Sequence, residues 1–380
     1  MRLSLRSTAS IALTLTALVA LVSTIVVSGV SQSHSAHAAN SSFIGQFSKI
    51  TTLVSTVPVH IGDVNPYGVA VVPTSIGHLE KGNILVSNFN NVKNLQGTGT
   101  TIVQITPDGH RTLFAQINPE KLNGPCPGGV GLTTALVVLK RGWVIVGSLP
   151  TTDGKSATAK AGCLIVLDSN GQAVETFSGS PINGPWDITA FDQNSIAALF
   201  VTNVLNGTVA AKGKVVNKGT VIRIDLDVPN QGQGLPDRSS TTVIGSGFSE
   251  KTDPAALVIG PTGVGLGDDR TLYVADSVNN RIAAIPNALT RLTTAFAGKD
   301  VTANGSINDP LGLAIAPNND ILTVNGNDGN IVETTPKGNQ IATKVLVING
   351  AGALFGLAIK PGGTGVYFVN DNNNTLNLLH

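Results

Sequence analysis

A repeated unit constrains the fold of this chain more than any other feature of its 380 residues. Each copy starts with Pro or Gly, continues as an alternating apolar segment, turns, and ends in a second apolar segment closed by Asn, Asp or Ser. The best-preserved copy reads GPTGVGLGDDRTLYVADSVNNRI. Five further copies, two of them degenerate, lie at 65–91, 129–149, 184–204, 308–331 and 354–376. Self-similarity of this kind is typical of solenoids and propellers.

Two more short apolar segments follow each copy except the last, such as TTIVQITPDG and RTLFAQI after the first. Pro-Asp-Gly, Ser-Asn-Gly and Pro-Lys-Gly between such segments are hairpin turn signals. Val, Ile and Thr dominate the apolar segments, and the 43 glycines suit tight turns. Four short antiparallel strands in each repeat predict the blades of a β-propeller.

The number of strands predicts how the ring closes. The last of the six units stops after its third strand, and the segment 47–59 resembles a fourth strand without a blade. We therefore predict an all-β, six-bladed propeller of four-stranded antiparallel blades, closed by an N-terminal strand that pairs into the last blade. Closure removes the open sheet edges that invite aggregation.

The best-preserved copy also resembles a known repeat. Gly263-Val264-Gly265-Leu266 followed by LYVADSVNNRI is similar to the NHL repeat family, and weaker copies occur in the other five units. The resemblance extends over nearly all of residues 39–380 and implies a single propeller domain there. It implies little about activity, because such propellers include ligand binders, lyases, lactonase relatives and interaction scaffolds.

The N-terminus has the features of an export signal. Two arginines precede an apolar segment at 11–30, and Ala36-His37-Ala38 fits the small-x-small cleavage rule. We expect residues 1–38 to be a signal peptide and the mature protein to be periplasmic or extracellular, with no membrane span after cleavage. The alternative is an uncleaved anchor, because the apolar segment is long enough to cross a bilayer.

Charge limits the classes of partner. Only 12% of the residues are charged and the net charge is +1, so neither nucleic acid nor an anionic membrane surface is expected to bind. The sequence favours a protein or a cell-surface polysaccharide as partner, and a monomeric chain. The two cysteines, Cys126 and Cys163, are expected on the same end of the second blade, where an exported protein would form a disulfide.

Two rings of residues are expected at one end of the propeller, where loops lead into the first strands and join the second strands to the third. The inner ring precedes the first strands, and the outer ring ends the second strands. The candidate ligand-binding residues among them are Tyr67, Trp186, Phe355, Asn88, Asn203, Asp276, Asn325 and Asn370. Aromatic faces and amides could bind a neutral polar ligand. Alternatively, the amides hold turns and the aromatic rings pack between blades.

Asp276 also resembles a residue of the gluconolactonase-like propellers, through the YVADS segment. In that family an Asp at the end of a second strand acts as a base beside a divalent metal, together with a Glu and with Asn before Gly. Neither of these further ligands occurs at the matching positions here. No metal site and no cofactor are therefore expected, with calcium at 325–330 or 370–374 as the alternative.

Histidine chemistry is not expected either, because no histidine of the predicted mature chain pairs with an acid. These histidines are His60, His78, His110 and His380. With no catalytic residues assigned, the sequence favours a binding or interaction scaffold over an enzyme, without deciding between them. The alternatives are a metal-dependent hydrolase or lactonase that uses Asp276, and a structural envelope protein.

Overall fold

A computed structural model describes residues 41–380, which form six antiparallel β-sheets. The predicted signal peptide, 1–38, lies outside the described residues. Within the described residues, no helix has the length and apolar character needed to cross a membrane. The helices are short: 3₁₀ turns at Ile44–Gln46, Pro119–Lys121, Ser156–Thr158 and Ser277–Asn279, and one α-helical turn, α1, at Thr208–Ala211.

The strands follow the order that the repeats predict, in six successive blades. The strand β1, Ile50–Ser55, precedes them. Blade one contains β2 Val64–Val71, β3 Ile84–Asn90, β4 Thr101–Ile105 and β5 Arg111–Gln116. Blade two contains β6 Leu132–Val138, β7 Val144–Ser148, β8 Cys163–Leu167 and β9 Ala173–Phe177. Blade three contains β10 Gly184–Asp192, β11 Ile196–Val204, β12 Val216–Asp227, β13 Asp237–Asp253 and β14 Leu257–Ile259.

The second half of the ring is more regular. Blade four contains β15 Pro261–Leu266, β16 Leu272–Asp276, β17 Arg281–Ile285 and β18 Lys299–Ala303. Blade five contains β19 Pro310–Ile315, β20 Ile321–Asn325, β21 Asn330–Thr334 and β22 Gln340–Val345. Blade six contains β23 Leu354–Ile359, β24 Val366–Asn370 and β25 Thr375–Leu379.

The predicted closure is confirmed. Strand β1 pairs antiparallel with β25, from Ile50 opposite Leu379 to Ser55 opposite Thr375, and completes the last blade. Lys49 and His380 exchange two backbone hydrogen bonds of 2.9 and 2.8 Å just beyond this pairing. The disulfide between Cys126 and Cys163 is confirmed as well. The six-bladed ring is therefore closed by its two ends.

Blade three departs from the predicted four strands. Its outer strand β13 continues to Asp253, and the chain then folds back as β14, which pairs Leu257 with Asp253 and Ile259 with Lys251. The segment 254–259 includes buried Leu257 and Val258 and packs over the centre of the ring. We call this segment the cover.

Glycines in the first strands allow the blades to approach one another at the centre. A Cβ atom added to Gly312 would overlap the carbonyl of Phe355, and one added to Gly356 would overlap the carbonyl of Tyr67. Such contacts with the neighbouring backbone explain why glycine recurs at this position of the repeat. A larger residue can stand there only where the neighbouring strand leaves room.

Candidate functional site

The predicted aromatic residues lie together at the upper end of the ring, where loops lead into the first strands. Tyr67 stacks on Phe89 and on Phe355, with ring centroids 4.4 and 3.9 Å apart, and Trp186 lies 6.4 Å from Tyr67. The cover packs onto this cluster, and Val258 accepts a hydrogen bond of 3.0 Å from the Trp186 indole. Tyr67, Trp186 and Phe355 are each at most 2% exposed. They therefore close the upper end of the ring.

The predicted amide residues hold local turns. The Asn203 side chain accepts hydrogen bonds from the backbone of Asn183 and Gly184, both at 2.8 Å. Asn88 donates to the carbonyl of Thr56, and Asn325 donates to the carbonyl of Ser306. Asn370 similarly accepts from the backbone of Asn372 at 3.1 Å. These contacts match the turn-holding alternative of the sequence analysis.

Asp276 is engaged with a cation from its own blade. Its buried carboxylate accepts a hydrogen bond of 2.7 Å from the Arg281 guanidinium. The side-chain amide nitrogen of Asn279 also donates to both carboxylate oxygens, at 3.0 and 3.1 Å. Burial raises the pKa of Asp276, and Arg281 opposes that change. A divalent cation would have to displace Arg281 to reach this carboxylate.

A metal centre of the gluconolactonase kind does not fit these residues. In the span 41–380, no three side chains of His, Cys, Asp or Glu lie close enough to hold a metal ion. In the turn proposed for calcium, Asp328 already accepts hydrogen bonds from Asn308 and Asn325.

A cavity of about 410 Å³ lies beneath the aromatic cluster, along the axis of the ring. The first strands of all six blades line it, and polar and apolar atoms both form its surface. Lys140, at the turn between β6 and β7, is exposed, whereas Asp187 within β10 is 7% exposed. The cavity therefore opens at the lower end and reaches inward to Asp187.

Asp187 contributes a carboxyl group to this cavity. Its two oxygens accept backbone hydrogen bonds from Ile188 at 2.9 Å and from Val264 of the next blade at 3.1 Å. The Thr202 hydroxyl accepts a hydrogen bond of 3.0 Å from the Asp187 backbone. Burial raises the pKa of Asp187 to about 8, because the two backbone donors only partly offset the loss of water.

The register of the blades explains why this carboxyl group is exceptional. In each blade, strands one and two pair near the start of strand one, and the pairing resumes after a short irregularity. The residue just before the pairing resumes is glycine in four blades: Gly68, Gly263, Gly312 and Gly356. In blade three the same position is Asp187. The sequence analysis singled out Trp186 and missed its neighbour. The available signal was the segment GPWDI, in which Asp replaces the recurring glycine.

Blade two also differs from the register expected from its sequence. In the sequence, Gly131 aligns with the recurring glycine, but Leu132 pairs with Ser148 and Leu136 pairs with Val146. Ala135 therefore occupies the glycine position, and Thr134 precedes it where other blades have Tyr67 or Trp186. Blade two has one residue more than blade one between the point where the pairing of its first two strands is interrupted and the point where it resumes. This extra residue shifts the register and places Thr134 on the cavity wall.

Comparison with known proteins finds no matching family model and no matching curated protein. Solved structures do match. A gluconolactonase from Xanthomonas campestris has a TM-score of 0.54 at 14% identity, over 90% of this chain and 92% of that chain. The calcium-binding protein regucalcin from Agrobacterium tumefaciens has a TM-score of 0.54 at 13% identity, over 88% and 93%. A luciferin-regenerating enzyme has a TM-score of 0.54 at 11% identity, over 87% and 94%.

At these identities the likeness shows the fold, a six-bladed propeller similar to the gluconolactonase-like structures; membership of the NHL family stays a prediction. The prediction of a non-catalytic binding scaffold is wrong. It is contradicted by these neighbours, two of which are named as enzymes. The lactonase-type alternative is better supported. The sequence analysis assigned no catalytic residue because it searched the upper end, whereas the cavity opens at the lower end.

Proposed function

We propose that this protein is a lactonase-type hydrolase whose reaction takes place in the central cavity at Asp187. The observation that carries the proposal is a carboxyl group at the inner end of the central cavity, where burial raises the pKa of Asp187 to about 8. A group whose pKa lies near the working pH is suited to general acid–base catalysis. The gluconolactonase fold likeness supports the reaction class.

Lactone hydrolysis requires a proton acceptor for the attacking water. In its ionised form, Asp187 takes a proton from water while the water oxygen bonds to the ester carbonyl carbon. The ring carbon–oxygen bond then breaks, and the proton passes from Asp187 to the departing ring oxygen. The backbone groups of Ile188 and Val264 hold the carboxylate in place through the step. No step requires Asp276, which is held by Arg281.

The wall of the cavity indicates an uncharged substrate. The charged side chains that line it besides Asp187 are Lys140 and Asp192, near the opening. Lys140 Nζ already donates to the Asp192 carbonyl at 2.9 Å, and its backbone donates to the Asp192 carboxylate. A volume of about 410 Å³ suits a small ligand. We therefore propose a small neutral lactone as the substrate.

The test is hydrolysis of a panel of five- and six-membered lactones by the purified protein and by Asp187→Asn. The expected result is turnover that falls about 100-fold or more in the variant, because a general base commonly contributes that much. Asp187→Gly, which restores the glycine of the repeat, should also be inactive yet folded. Absence of turnover for every lactone, or full activity of Asp187→Asn, would contradict the proposal. Activity abolished by EDTA and by Asp276→Asn would move the site to Asp276.

We also propose that the protein acts outside the cytoplasm. The predicted signal peptide supports this, and so does the disulfide, because disulfides persist in oxidising compartments. N-terminal sequencing of the protein from its native host tests it. The expected mature start is Ala39 or Asn40; a start at Met1 would indicate the uncleaved anchor instead.

A further inference from the structure

A second cavity, of about 480 Å³, lies beside the opening of the central cavity and shares Lys140 with it. Turns at the lower end of blades one, two and three form this cavity, and we call it the basic groove. Its lining residues are Ile76, Lys140, Arg141, Asn194, Asn230 and Gln231. It thus has two cations and three side-chain amides, and none of the described residues that line it is acidic. Cations beside amides suit an anion that also carries a hydroxyl group.

The two cations of the basic groove are not neutralised by an acidic side chain. Within residues 41–380, neither Lys140 nor Arg141 forms an ion pair. The exposed Lys140 Nζ donates 2.9 Å to the carbonyl of Asp192, which holds it at the opening and leaves two of its three N–H groups free. The half-buried Arg141 guanidinium donates to the carbonyl of Val228. The Asp192 carboxylate instead accepts from the backbone of Lys140 and of Asn194, at 2.6 and 2.7 Å.

The proposed reaction produces an anion beside this groove. Hydrolysis adds water to the lactone carbonyl carbon, breaks the ring carbon–oxygen bond and leaves a hydroxy acid. A carboxylic acid of this kind loses its proton near pH 4, so at neutral pH the product is a carboxylate that also carries a hydroxyl group. When Asp187 is ionised, the two negative charges repel each other, whereas Lys140 and Arg141 attract the product.

We propose that the basic groove binds the carboxylate of the ring-opened hydroxy acid, with Lys140 and Arg141 as the cations that hold it. This inference rests on the proposed hydrolase for the identity of the product, and it identifies the ligand class as a small hydroxy carboxylate. An arginine guanidinium can donate two parallel hydrogen bonds to one carboxylate. A neutral lactone gains nothing from these charges. The groove therefore favours departure of the product over its return to Asp187.

The experiment compares two probes of the same length, 5-hydroxypentanoate and its uncharged analogue 1,5-pentanediol. Titration calorimetry should show the hydroxy acid binding about tenfold or more tightly than the diol at low salt, because only the acid pairs with the cations. High salt should weaken binding of the acid alone, since the groove is open to solvent. Lys140→Gln should weaken binding of the acid about fivefold or more and leave the diol unchanged.

Lys337 provides a matched control. It is an exposed lysine in the turn between β21 and β22, also at the lower end, and it lines neither cavity. Lys337→Gln changes the net charge by the same amount as Lys140→Gln, and it should keep the affinity for the acid within about twofold, because salt screens charges beyond about 10 Å. Arg141→Gln should weaken binding of the acid as well. Its Tm is measured alongside, because it also loses the bond to Val228.

The two proposals fail in different ways. If no lactone is hydrolysed but the hydroxy acid binds and Lys140→Gln alone weakens it, the hydrolase proposal fails and the carboxylate site stands. If lactones are hydrolysed but the acid binds no more tightly than the diol, the inference is overturned and the hydrolase stands. Equal affinity in Lys140→Gln and the unaltered protein would also overturn it. Equal losses in Lys140→Gln and Lys337→Gln would do the same, since they would indicate net charge rather than a site.

Discussion

Asp187 stands where four other blades have glycine, and its surroundings control its protonation. The Val264 and Ile188 amides favour the carboxylate, while burial favours the neutral acid. Burial has the larger effect and raises the pKa to about 8. Near neutral pH, most of the molecules therefore carry the protonated form, and the reactive carboxylate is the minority.

This protonation predicts a pH-dependent rate. Because Asp187 must be ionised to accept a proton, kcat/KM should rise about tenfold per pH unit below the pKa and level off above about 8. Initial rates on one lactone between pH 5 and 9, corrected for spontaneous hydrolysis, measure this. A rate that is constant from pH 5 to 8 would exclude Asp187 as the base.

Asp276 should behave as a structural residue. Asp276→Asn leaves Arg281 without its buried partner, so unfolding free energy should fall by about 2–4 kcal/mol, near the lower part of the range for broken buried pairs. The folded variant should keep its kcat on lactones.

Asp300→Asn is the matched control. Asp300 also contacts Arg281, but its side chain is 69% exposed, so the loss should be about 0.5 kcal/mol or less. Chemical denaturation and steady-state kinetics distinguish the two roles.

At the scale of elements, the ring depends on the segment that precedes β1. Ser42, Phe43 and Ile44 donate three hydrogen bonds of 2.6–2.8 Å to the Glu333 carboxylate on β21. Phe43 and Ile44 also pack into the core between blades five and six. These bonds lower the pKa of Glu333, while burial beside Glu333 raises the pKa of Asp320 to about 7. The segment is thereby fixed beside the blade that β1 completes.

Glu333→Gln should loosen this segment. The new amide NH₂ faces backbone donors in place of an acceptor, so the unfolding free energy should fall by about 1–3 kcal/mol. Limited proteolysis should cut the variant near residues 41–49 faster than the unaltered protein. Ser42→Ala, which removes one of the three donors, should have a smaller effect. Equal cleavage rates in Glu333→Gln and the unaltered protein would show that the apolar contacts alone hold the segment.

At the scale of the whole molecule, the repeat was sufficient to predict the ring, because strand pairing is periodic and a surplus strand matched a missing one. The site was harder to predict. Whether Trp186 faces a ligand or a buried cluster depends on the cover, which packs from a distant part of blade three. Similarly, the place of Thr134 depends on one extra residue in β6, whereas the sequence repeat aligns Gly131 with the recurring glycine. Both outcomes come from long-range packing, which local patterns do not report.

Several carboxyl groups share the behaviour of Asp187. Burial raises the pKa values of Glu250, Asp309, Asp320 and Asp371 to about 7. In the unfolded chain, by contrast, these groups titrate near 4. Between pH 4 and pH 7–8 the folded state therefore holds more protons than the unfolded state. The free energy of unfolding must then decrease as the pH rises through this window.

The folded protein should accordingly be most stable in mild acid. Each group that is protonated when folded and ionised when unfolded lowers the unfolding free energy by about 1.4 kcal/mol per pH unit. Glu333, whose pKa is lowered, acts in the opposite direction only below about pH 4.5. Thermal unfolding at constant ionic strength should show Tm falling steadily from pH 5 to pH 8, and Asp187→Asn should reduce that fall, because its side chain does not titrate. A Tm that is constant or rises over this range would mean that water reaches these carboxyl groups in the folded state.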